Sequence, residues 1–121
     1  MDTTERSRDI ALDFETMRNN ATQASNFLKA LANPDRLLLL CQLSQGEKCV
    51  SDLEATVGIK QPSLSQQLTV LRAENLVQTR REGKQIYYSI SSQPALLVMK
   101  LLYQQFCQQT VSANPEETSH D

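Results

Sequence analysis

Apolar residues first recur at helical spacing. Ile10, Phe14, Met17 and Ala21 are followed by Ala24, Phe27, Leu28 and Leu31, three and four residues apart, as one face of an amphipathic helix requires. The pattern predicts two such helices, or one long bent one. The stretch ANPDR at 32–36 interrupts it. Asn33 suits an N-cap, Pro34 the first helical position, and Asp35 the positive end of a helix that holds the leucine-rich run 37–43 and stops at Gly46. In SDLE at 51–54, Ser51 and Glu54 form a capping-box pattern that opens a short helix, which Gly58 closes. Pro62 then takes an early position in a further helix whose Leu64, Leu68 and Leu71 face a core. Its opposite face carries Ser63, Ser65, Gln66, Gln67 and Thr69, with Gln61 just ahead of it. Two short helices joined by VGIKQ, the second polar on its outer face, make a helix-turn-helix pattern.

After Asn75 the period changes from helical to alternating. Val77 and Thr79 lie on one arm and Ile86, Tyr88 and Ile90 on the other, flanking RREGK at 80–84. Gly83 supplies the turn of a β-hairpin whose tip gathers Arg80, Arg81 and Lys84. A basic hairpin after a helix-turn-helix is a wing. A last helix over 94–109 is apolar around most of its circumference, so in a chain this small a second subunit is its expected cover. The expected fold is mainly α with a small β-hairpin, one winged helix-turn-helix domain over 1–110, followed by a disordered tail over 111–121.

Composition narrows the function. With 121 residues, 40% hydrophobic and 21% charged, the chain has the profile of one globular domain, and no apolar run reaches the roughly 18 residues of a membrane span. The N-terminal stretch lacks the apolar core of a signal peptide, so a cytoplasmic location is expected. The net charge of −2 is uneven, because residues 48–88 carry a local +2 and the flanks −4. An acidic body with a basic middle suits one DNA-facing surface. The three cysteines, Cys41, Cys49 and Cys107, lack the density of a disulfide scaffold and read as reduced thiols. No Cys-x-x-Cys pair or neighbouring histidine suggests a thiol enzyme, and no cofactor is called for.

The succession of helices, helix-turn-helix, wing and terminal helix resembles the ArsR/SmtB family of bacterial winged-helix repressors. LKALANPDRLLLL at 28–40 is similar to that family's opening signature, and QPSLSQQLTVLRAENLVQTRREGKQIYYSI at 61–90 to its recognition helix and wing. The resemblance implies a homodimer, joined through its N- and C-terminal helices, that holds palindromic double-stranded operator DNA and releases it on sensing an inducer. Gln61, Ser63, Ser65, Gln66 and Gln67 would face the major groove, where glutamine can pair bidentately with adenine. Arg80, Arg81 and Lys84 would meet phosphates, which position without specifying.

The inducer has to be argued residue by residue. Arsenic and cadmium sensors of the family use a cysteine pair where this chain reads CVSDL, with Ser51 in place of the second thiol. One thiolate makes a poor soft-metal site. Zinc and nickel sensors place carboxylates and histidines on the last helix, but here the single histidine, His120, is in the tail and no acidic residue lies between Glu82 and Glu116. No metal site is expected. Cys41 and Cys107 remain, and their placement resembles the persulfide-responsive subgroup, in which two cysteines at these places react with low-molecular-weight persulfides and become linked through a disulfide or polysulfide. In that reading Cys107 is attacked first and Cys41, partly buried among the leucines, resolves it, while Cys49 is a partly exposed bystander. A general oxidative or disulfide-stress sensor using the same pair, and an arsenite sensor using all three thiols, stay open alternatives.

Overall fold

The structure, a computed structural model, describes residues 13–108. Ile10, the 111–121 tail and His120 lie outside the described residues. Helix α1 spans Phe14–Leu31 as one continuous element, which settles the choice between one long helix and two. Helix α2, Pro34–Leu43, begins as its sequence predicts: the Asn33 side chain accepts a hydrogen bond from the Arg36 amide, and Pro34 occupies the first turn.

A two-residue strand, β1, Lys48–Cys49, follows. Helix α3, Val50–Val57, starts one residue before Ser51; Cys49 is at its N-cap position without a side-chain capping bond. The capping box expected at Ser51 and Glu54 is therefore not formed. Pairing of Lys48 and Cys49 with β3 draws the chain into the helix early and places Ser51 inside its first turn. Gly58 does close α3, with a φ of 82° that glycine adopts without penalty. Helix α4, Ser63–Ala73, begins just after Pro62, which is its N-cap residue rather than a helical one.

Strands β2, Val77–Glu82, and β3, Gln85–Ile90, form the wing and pair antiparallel with Val77 opposite Ile90 and Thr79 opposite Tyr88. The register sets the alternating positions of the two arms on a common face. The sheet has three strands in the order β1-β3-β2, one more than the expected hairpin. Two residues are too short a run to show any period in a sequence. Helix α5, Gln93–Tyr103, is capped by Ser92, and a π-helical turn, Gln104–Gln108, continues it. The wider π turn rotates Phe106 and Cys107 away from where an unbroken α-helix to residue 109 would set them.

One core holds these elements in place. Leu39, Leu40, Leu53, Leu64 and Leu71 are fully buried, joined by Leu31, Leu43, Leu68, Ala95 and Met99. Each such leucine stabilises the fold by about 1.5–3 kcal/mol through removal of apolar surface from water. Helix α2 is central to this arrangement, packing against α1, α3, α4, α5 and β3.

Candidate functional site

The recognition helix α4 buries its leucine stripe and turns its polar side outward. Ser65 and Gln66 are exposed, whereas Ser63 and Gln67 are half-buried. Gln61 caps the helix from one turn before: its Oε1 accepts from the Ser65 amide at 3.1 Å and from the Ser65 hydroxyl at 2.6 Å. Gln67 is also engaged, its Oε1 accepting from Arg36 Nη1 at 2.8 Å. Gln66 is exposed on the outer face of the helix.

Arg36 is a residue that the sequence did not single out. Besides Gln67, its guanidinium donates to the Ala30 carbonyl at 2.6 Å and to the Lys29 carbonyl at 3.2 Å. These are carbonyls of the last turn of α1, a helix end that favours a cation; that of Lys29 also accepts from the Ala32 amide at 3.2 Å. The arginine of ANPDR carries no local signal of this, since its acceptors lie on two other helices.

In the wing the three cations differ. Arg80 and Arg81 lie within β2, not at the tip, and only Lys84 belongs to the two-residue turn with Gly83. Adjacent strand residues point to opposite faces. On its face Arg80 donates from Nε and Nη2 to the Glu47 carboxylate at 2.6 and 2.9 Å and from Nη1 to Glu82 at 2.7 Å, and it stacks 4.7 Å from the centre of the Tyr87 ring. The hydrogen bond from Arg80 holds the Glu47 carboxyl below the ordinary glutamate value. A lowered carboxyl pKa means the pair is complete at neutral pH and is lost only as pH falls into the acid range. Arg80 is thus neutralised by two carboxylates, while Arg81 and Lys84 are exposed and are not in a salt bridge among the described residues.

The thiols divide two and one. Cys41 and Cys107 are exposed and Cys49 is buried. This corrects the expected burial in both directions: α2 turns Leu39 and Leu40 into the core and leaves Cys41 outside it, while Cys49, in β1, is buried with its sulfur 3.3 Å from Ser51 Oγ. Cys41 and Cys107 line one groove of about 300 Å3 between α2 and the C-terminal end of α5, walled by Leu38, Met99, Leu102 and Phe106. Cys49 is not among the groove's lining residues. Among the described residues no three His, Cys, Asp or Glu side chains converge as a metal site, and no helix is long and apolar enough to cross a membrane.

Comparison with known proteins agrees with this arrangement. A family described as bacterial regulatory protein, arsR family, matches residues 33–79, from the Asn33 cap through the recognition helix into the wing. The biofilm growth-associated repressor of Agrobacterium fabrum is 50% identical over 91 residues, which are 75% of this chain and 78% of that protein. The crystal structure of the transcriptional repressor BigR from Xylella fastidiosa superposes with a TM-score of 0.75 at 45% identity, covering 79% of this chain and 98% of that one. A homodimeric winged helix-turn-helix DNA-binding domain from Mycobacterium bovis superposes with a TM-score of 0.63 at 29% identity, over 89% of this chain and 95% of that one.

Proposed function

The chain belongs to the ArsR family of bacterial regulatory proteins, and from that premise we propose that it is a homodimeric transcriptional repressor that binds palindromic operator DNA in its reduced state and releases it when Cys41 and Cys107 become linked. The observation that carries the sensing part is the shared groove: two exposed thiols on separate helices line one apolar cleft. Bridging them would tie α2 to the end of α5 and shift the elements that hold the recognition helix. Ser63, Ser65 and Gln66 face the bases in this reading, Gln61 acts largely as the cap of that helix, and Arg81 and Lys84 contact phosphates.

The inducer is a low-molecular-weight persulfide, RSSH. The Cys107 thiolate attacks its outer sulfur, the S–S bond breaks and RS⁻ leaves, converting Cys107 to a persulfide. The thiolate is the reacting form, and exposure gives it access. The Cys41 thiolate then attacks Cys107 Sγ and expels HS⁻. The two thiols are oxidised to a disulfide, and the transferred sulfur is reduced. If a second RSSH first converts Cys41 to a persulfide, its terminal sulfur attacks instead, and the bridge keeps one extra sulfur. No cofactor is needed, and the protein is not an enzyme.

The test is the intact mass of reduced protein after glutathione persulfide, with peptide mapping and operator binding on the same sample, and with oxidised glutathione and peroxide in parallel. A Cys41–Cys107 bridge and DNA release with persulfide alone support the reading. Equal bridging and release by all three reagents would make the protein a general disulfide-stress sensor. Persistent DNA binding would overturn the sensing role of Cys41 and Cys107. Cys49→Ser should leave release intact, whereas its loss in that variant would point to an arsenite-type site of three thiols.

A further inference from the structure

We propose that Arg36 is the positioning residue of the recognition helix, and that Gln67, which projects from the middle of that helix, serves as its point of attachment rather than as a reader of bases. This rests on the DNA-binding reading above but not on the identity of the inducer. The guanidinium joins three helices at one point: it donates to the Lys29 and Ala30 carbonyls at the end of α1, belongs to the first turn of α2, and donates to Gln67 on α4. Its own backbone is held by the Asn33 cap, whose Oδ1 accepts from the Arg36 amide at 3.0 Å. A planar fork with several fixed donors suits such a joint, and a lysine, with one point charge, does not. The bond to Arg36 fixes the orientation of the Gln67 amide and draws it into the half-buried seam between α2 and α4. Bidentate pairing with adenine needs that amide free to lie in the plane of the base. Cys41 is five residues further along α2, roughly 7.5 Å up its axis, so the helix that carries a sensing thiol also carries the contact that aims α4.

The experiment uses the reduced full chain and an operator panel in which each base pair is changed in turn. Gln67→Met removes the acceptor at nearly constant shape, Arg36→Lys keeps the charge but not the fork, and the double variant closes a thermodynamic cycle. The expected result for Gln67→Met is a loss of affinity of roughly tenfold, the scale of one hydrogen bond to a charged group, by the same factor across the whole panel. The double variant then binds no worse than the weaker single one. A loss confined to one or two base pairs, losses that multiply in the double variant, or unchanged affinity in Gln67→Met would each overturn the proposal. Should Arg36→Lys fail to fold, the panel measured with Gln67→Met alone decides. Failure of the unsubstituted protein to bind any operator would instead strike the DNA-binding reading itself.

Discussion

Arg80 and Arg81 are neighbours in sequence with the same charge, yet the strand sends them to opposite faces and so to different work. Arg80 meets Glu47, Glu82 and the Tyr87 ring, and Arg81 stays open to solvent. A cation that is already paired releases few counterions from DNA, whereas a free one placed on a phosphate adds about one to the slope of log affinity against log salt. Arg81→Ala or Lys84→Ala should therefore weaken operator binding for all sequences and lower that slope by roughly one. Arg80→Ala should change it much less and act through the shape of the wing. Fluorescence anisotropy across a salt series distinguishes them, and equal slopes for all three variants would return Arg80 to the phosphate contacts. The three arginine and lysine positions were legible as a basic cluster. Their division was not, because Glu47 is distant in sequence and reaches Arg80 only after β1 joins the sheet.

At the scale of elements, the caps with a local cause behaved as the sequence implied. Asn33 and Pro34 open α2, and Gly58 closes α3 in the left-handed region, where an added Cβ would meet nothing within 4 Å. Gly58→Ala should then cost only backbone strain, about 1–2 kcal/mol, and Asn33→Ala about 1 kcal/mol for the lost cap. Both are measurable by chemical denaturation at fixed protein concentration. Ser51→Ala should cost little, since the helix begins before it; a loss as large as that of Asn33→Ala would mean that the capping box forms in solution. The difference between the two helix starts lies in what surrounds them. Asn33 is at a break that its own sequence enforces, while the start of α3 is pulled forward by pairing of Lys48 and Cys49 with Tyr88 and Tyr87.

For the whole molecule, the feature that calls for a partner is its uncovered apolar surface. Leu97 and Leu101 on α5 are each more than half exposed, as are Phe14 and Leu28 on α1. Helices with such faces need a cover, and an isologous pairing of two copies supplies one. Leu97→Asp together with Leu101→Asp should give a monomer in sedimentation and abolish operator binding, since a palindrome is read by two recognition helices held at a fixed spacing. A dimer that survives both substitutions would place the interface elsewhere.

Periodicity by itself determined the helices and the change to alternating strands, because those follow from local geometry that every residue carries with it; the register of the wing came from the pairing of β2 and β3. Periodicity also marked the polar face of α4, and the family resemblance marked the cysteines, as the chemistry to examine. Tertiary structure alone decided which polar side chains are already spent. Gln67 on Arg36 and Arg80 on Glu47 are partnerships across long separations in sequence, and Cys49 is buried where β1 joins the sheet. It also decided that Cys41 and Cys107 share one groove, since two residues so far apart along the chain become neighbours only when the core of α2 and α5 closes between them.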